Sequence, residues 1–284
     1  MKRIITIISC LNLFTILFAQ KQIQIEPAIL EVHYYKTMQQ DTIRKNKIET
    51  DSMILRIGKH SSQFFSYYVF MEDSLWNDPK GRGIVENLKI KTFETNDFTN
   101  FIGTHTTDEF LYKNFPKDSL TVTTRRLVAG FKYTEEYKPQ SWVLIDSAKQ
   151  ILNHPCKLAR CAFRGREWYA WYAEDIPISD GPWKLTGLPG LILQAYDKNK
   201  NYEYIAKVIN DRHVTPVTFY DFYENGFIFT QRTTFLKAKY DFISGKSSDE
   251  IDLIKNVYWG GKKINYLTSS RKRLHYDFKE IDYK

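Results

Sequence analysis

Residues 164–197 read RGREWYAWYAEDIPISDGPWKLTGLPGLILQAYD. They hold three of the six Trp and three of the nine Pro. Over 166–174 the side chains alternate. Glu167, Tyr169, Trp171 and Ala173 fall on one side of an extended chain, and Arg166, Trp168, Ala170, Tyr172 and Glu174 on the other. Both sides are aromatic, which predicts a strand buried on both faces or with one face lining a cleft. Residues 156–164 are the preceding strand candidate, and Gly165 stands where a tight hairpin needs positive φ. Further on, Ile176 precedes Pro177 and is pushed to extended geometry, and Asp180-Gly181-Pro182 signals a turn.

Gly187-Leu188-Pro189-Gly190-Leu191-Ile192 follows. Pro at the second position of a four-residue turn fixes φ near −65°, and Gly at the third accepts φ > 0. Together they specify a type II turn over 188–191. Leu188 and Leu191 flank it, so the turn is expected to pack inward, with a strand resuming over 191–196.

The string GPWKLTGLPGLI resembles the signature of the GLPGLI family, secreted proteins of Bacteroidetes-type bacteria. Cys156, Arg164-Gly165-Arg166, Ala170-Trp171-Tyr172 and Ile176-Pro177-Ile178 match the family's usual run-up. The likeness is detailed over the middle third and extends to chain length and leader. It implies an exported protein and brings no catalytic residues with it.

The 284 residues suffice for one large domain or two small ones. Aromatic content of 15% favours strands. The net charge of +8 is dispersed, and no basic stripe suited to nucleic acid stands out beyond Arg271-Lys272-Arg273. Residues 1–19 have the form of a signal peptide: Lys2 and Arg3, an apolar core over 4–18, then Ala19 before a cut at Gln20. That core is shorter than the ~20 residues of a membrane span. No other segment is apolar and long enough to span a membrane as a helix. The expected domain is 20–284. Cys156 and Cys161 lie five apart, on opposite faces of a regular strand. Two reduced buried thiols, or a buried Cys156 with an outward Cys161, are therefore favoured over a bridge.

Strand-like runs recur about every ten residues with turns between, the pattern of an antiparallel meander. They cover 22–35, 47–58, 61–71, 109–115, 119–127, 131–137, 141–145 and 202–209. Residues 72–83 read as a loop or a short helix then a loop, and 146–150 as a turn. Residues 232–242 have helical spacing, and Ser247-Ser248-Asp249-Glu250 offers an N-cap for a second helix. A basic, exposed tail is expected from Lys262. The expected fold is mostly β (α+β), a single domain with a curved antiparallel sheet and one or two helices near the C-terminus.

No metal or cofactor pattern emerges: His33, His60, His105, His154, His213 and His275 include no i, i+4 pair. His154 and Cys156 share a strand face with no orienting acid apparent. Ser179-Asp180 reads as a turn with local side-chain bonding, and Glu174 and Asp175 near Asp180 as solvated acids. The group of interest is Arg164 and Arg166 with Trp168, Trp171 and Trp183. Guanidinium groups near indole faces can grip a carboxylate or stack on a ring. Alternatively the Arg stems pack over core aromatics and pair with Glu174 or Asp175. The leading expectation is an exported, non-enzymatic protein. In it, the side chains around the packed turn form one wall of a cleft for an apolar ligand, a peptide or an envelope partner. An envelope hydrolase and a purely structural envelope component are the competing classes.

Overall fold

The computed structural model describes residues 21–39, 48–95, 107–124, 130–221, 227–243, 258–259, 262–263 and 277–283. The expected signal peptide, the second C-terminal helix, His105 and His275 lie outside these residues.

The elements in chain order are β1 (Lys21–Glu26), β2 (Ala28–Met38), β3 (Glu49–Gly58), β4 (Ser62–Ser66), α1 (Tyr67–Asn77) and α2 (Pro79–Thr95). Then come β5 (Glu109–Lys113), β6 (Ser119–Thr124), β7 (Gly130–Glu136), β8 (Val143–Ile151), β9 (His154–Phe163) and β10 (Arg166–Ala173). The chain continues with β11 (Leu191–Asp197), β12 (Tyr202–Asn210), β13 (Val217–Asp221), β14 (Phe227–Phe229), α3 (Arg232–Ile243), β15 (Tyr258–Trp259) and β16 (Lys262–Lys263). Twelve strands form one sheet in the order β14-β7-β6-β5-β4-β3-β2-β12-β11-β10-β9-β8. All its pairings are antiparallel except β14 with β7.

The sheet is strongly curved without closing. Strand β7 lies near one edge and the β9–β10 turn near the other, yet Arg164 of that turn ion-pairs with Glu135 of β7. The strand alternation explains the two sides. On the inner face Leu30, Val32 and Tyr34 of β2, Leu55 of β3, Phe64 of β4 and Leu111 of β5 join the main core. Their neighbours Ile54, Phe65, Phe110 and Tyr112 point outward into a second cluster with Val69 of α1 and Phe219 and Tyr220 of β13. Strand β13 pairs with β1 to lay a hairpin-like flap over this outer face. Both faces of the central strands are thus covered, so their runs are apolar on both sides.

Several expectations need correction. Residues 67–71 are helical, and 72–83 belong to α1 and α2 with one break at Asp78. Extended Ser66 caps α1 by accepting the Val69 N–H at 3.4 Å. Asp78 accepts the Gly81 N–H at 2.5 Å, and Pro79 takes the first position of α2, where its missing N–H is not needed. Residues 146–150 continue edge strand β8, interrupted only by an irregularity between Ile145 and Ala148. Of the expected exposed tail, residues 264–276 lie outside the described residues, but Phe278 and Glu280 near its end are buried.

Candidate functional site

Arg164 (φ 54°) and Gly165 (φ 80°) form the β9–β10 turn, both left-handed as a tight hairpin requires. Arg164 donates to Glu135 and, at 3.3 Å, to Asp282. Arg166 is buried and bonds Asp197 at 2.9 Å, Asp277 at 2.5 Å and the Phe278 carbonyl at 2.5 Å. The two arginines therefore tie the C-terminal segment to the sheet; Glu174 and Asp175 are not their partners. Their guanidinium groups lie over Phe163 and Tyr202, not over indoles. The cations over Trp171 and Trp183 are lysines: Lys149 over Trp171, and Lys184 and Lys279 over Trp183. Trp168 and Trp183 are fully buried and tilt against each other with ring centroids 5.2 Å apart, and Trp171 is also buried. Trp168 and Trp183 meet inside the curve of the sheet, whereas Trp171 alternates to the other face of β10, beside Lys149, so the five residues do not form one site.

Residues 174–190 connect β10 to β11 and fill that curve. Leu191 N–H donates to Ile176 O at 3.0 Å, and Ile192 N–H to Asp180 O at 2.9 Å. The decisive tether is polar. The buried Lys113 ammonium of β5 reaches Asp180 Oδ1 at 2.5 Å, Gly181 O at 2.6 Å and Leu185 O at 3.3 Å. The Ser62 hydroxyl donates to the other Asp180 oxygen at 2.5 Å. Asp180 is therefore not a solvated turn residue but a buried counter-ion to a strand more than sixty residues away. Burial pushes the Lys113 ammonium below its ordinary value, and the adjacent Asp180 charge only partly offsets it. Thr186 completes the clamp: its N–H donates to Gln140 Oε1 at 2.8 Å, and its carbonyl accepts the Trp142 indole N–H at 2.7 Å.

The proline-glycine bend is not the expected type II turn. Gly190 does not take positive φ; Gly187 does, at 94°. Gly190 is needed for another reason: a Cβ there would sit 2.2 Å from the Ala173 carbonyl oxygen. Leu188 and Leu191 pack inward as expected, along with Ile192, while Pro189 is exposed.

Beside this clamped segment lies a groove of about 550 Å³ at one end of the sheet. The β3–β4 turn, the end of β5, Tyr137 and Pro139, and 177–187 supply its walls. Ile29, Ile57, Pro139, Pro177 and Ile178 give it apolar surface, and Ser61, Ser179 and Thr186 give it hydroxyls. Glu26 rigidifies the β3–β4 turn by accepting the His60 N–H at 3.0 Å and the Ser61 N–H at 2.5 Å. Burial and the Asp180 charge hold the Tyr137 phenol above its ordinary value, so it stays a neutral donor, bonded to Thr186 Oγ1 at 3.2 Å. Of the residues singled out from sequence, His60, Pro177, Ile178, Ser179, Asp180 and Gly187 line this groove; Arg164, Arg166, Trp168, Trp171 and Trp183 do not.

The nucleophile candidates are arranged differently. His154 Nδ1 lies 2.7 Å from Asp175, an acid that sequence spacing did not connect to it. The Cys156 thiol donates to the His154 carbonyl, not the imidazole, and burial pushes it up to about 11. Cys161 is pushed up to about 12 for the same reason. Both cysteines are free and buried, so Cys161 does not face outward. Glu174 pairs with Lys157 at 2.7 Å, apart from the buried Asp180. Among the described residues, no three His, Cys, Asp or Glu side chains converge as a metal site. No helix there is long and apolar enough to cross a membrane.

No curated protein matches the chain in sequence. Two crystal forms of PNGF-II, in space groups P21 and C2, are similar in structure, with TM-scores of 0.46 and 0.45 at 14% identity. Each match covers 73% of this chain but only 32% of the PNGF-II chain. Residues 164–194, from the β9–β10 turn through the clamped connection into β11, match a family described as a protein of unknown function (Porph_ging).

Proposed function

We propose that this is an exported, GLPGLI-type protein that binds an uncharged, apolar peptide segment in the groove beside 177–187 without cleaving it. The observation that carries the reading is the groove itself. Its volume of about 550 Å³ falls in the ~300–1,000 Å³ range of ligand sites. Its one buried cation, Lys113, is already matched by Asp180, so the interior favours a neutral occupant. Ile and Pro side chains suit apolar side chains of a guest, and the Ser61, Ser179 and Thr186 oxygens suit its amides. The wall is held by buried hydrogen bonds, which limits the ordering cost of binding. Export rests on the pattern of residues 1–19.

Fluorescence anisotropy of a dye-labelled, capped hexapeptide of Leu, Ile and Phe tests this. Ile178→Lys should weaken binding tenfold or more, while Ala162→Lys, on exposed β9, leaves it unchanged. Equal binding by both variants, or none by the parent protein, contradicts the proposal.

A further inference from the structure

Strands β2 and β5 lead away from the groove to the opposite end of the inner face, where a second, smaller cavity of about 40 Å³ lies. The two share no lining residue. Lys36 of β2, Lys239 of α3 and Lys279 of the C-terminal segment all face the small cavity. Both oxygens of Glu109 are engaged, one by Lys239 at 3.1 Å and the other by Lys279 at 3.7 Å. Glu280 is bound to Lys184 at 2.7 Å and Arg232 at 2.8 Å. Asp108 accepts from Thr124 at 3.1 Å. Asp51, opposite Lys36 on β3, accepts from Ser66 at 2.8 Å. Lys36 is left over. It is 2% exposed, and its ammonium bonds only the Thr107 hydroxyl, with no carboxylate within ion-pair distance among the described residues.

A buried lysine aimed into a polar cavity with no carboxylate in ion-pair contact is suited to one from outside. We infer that this cavity binds the carboxylate end of a small monocarboxylic acid, with Lys36 as its principal ligand and Lys239 and Lys279 beside it. The cavity holds about three water-sized positions by the ~10–15 Å³ each requires, the room a carboxylate takes. Met38, Leu236 and Phe278 provide an apolar wall for a short tail. Glu109 cancels part of the lysine charge, which favours a monoanion over phosphate dianion.

Binding has a protonation signature. In the empty cavity burial, then the charge of Lys279, bring Lys36 down to about 7; Lys239 adds to this, and Asp51 and Glu109 oppose it. A bound carboxylate favours the ammonium, so binding at pH 8 takes up a proton. Calorimetric titration of the full chain with butyrate at pH 8, in buffers of different ionisation enthalpy, should show uptake approaching one proton. Lys36→Met should weaken butyrate binding at least tenfold. Thermal shifts at matched ionic strength should rank butyrate and acetate above phosphate and chloride. Absent uptake in the wild-type protein, equal butyrate affinity in Lys36→Met, or a shift with phosphate alone would overturn the assignment.

Discussion

Asp180→Asn probes the tether that holds residues 174–190 inside the sheet. Asn is nearly isosteric and can still face Ser62 and the Gly181 N–H, so the change removes charge with little change of shape. The Lys113 side chain is 1% exposed and Asp180 8%, so water cannot replace the lost partner. Breaking a buried pair by removing one member costs about 3–5 kcal/mol, because an uncompensated buried charge remains. Urea unfolding at pH 7, followed by Trp fluorescence, should show a loss of about that size. Lys113→Met should lose a comparable amount, since it strands the carboxylate and leaves the Gly181 and Leu185 carbonyls without their donor. The double variant should lose little more than either single one, a coupling of about 3 kcal/mol. Burial already holds Lys113 below its ordinary value, so the pair contributes less to net stability than to where the segment sits. A loss below about 1 kcal/mol for Asp180→Asn, as for an exposed pair, or simple additivity of the two changes, would refute this reasoning.

Three further outcomes are expected. Gly190→Ala should destabilise by about 3 kcal/mol or more in chemical denaturation, because its methyl meets the Ala173 carbonyl oxygen at 2.2 Å and backbone must move. Lys36→Met should stabilise the protein without added carboxylate. The wild-type lysine titrates near 7 folded and 10.5 unfolded, so its cost, at most about 5 kcal/mol, is full below pH 7 and disappears as pH rises to 10.5. Melting curves from pH 6 to 10 should show the variant's advantage shrinking with pH. The Cys156 and Cys161 thiols, pushed up to about 11 and 12, should resist a thiol reagent at pH 7.5 until the protein is unfolded.

Much of the sheet was legible because burial imposes alternation. The rings of 166–173 and the inward Val32 and Tyr34 of β2 could be counted from the chain alone. The same row places Lys36 between Tyr34 and Met38, a parity that marks it as buried. The second half of β8 escaped because DSAKQ lies on an exposed edge, where no core imposes a pattern. Helix α1 escaped because Tyr67, Tyr68 and Phe70 mimic a strand; the Ser66 cap and the Asp78-Pro79 step were the readable signals. At Gly190 a local turn rule lost to a tertiary contact with Ala173. The groove could not be read because its walls converge from five separate segments, and Lys113 meets Asp180 only once the sheet has curled.

Backbone amide shifts of the ¹⁵N-labelled protein, followed while the capped apolar hexapeptide is added, test the groove most directly. The predicted result is saturable change concentrated at residues 57–61, 113–114, 137–139 and 177–187, with β8 and β9 silent. Changes centred elsewhere, or none at millimolar peptide, would contradict it.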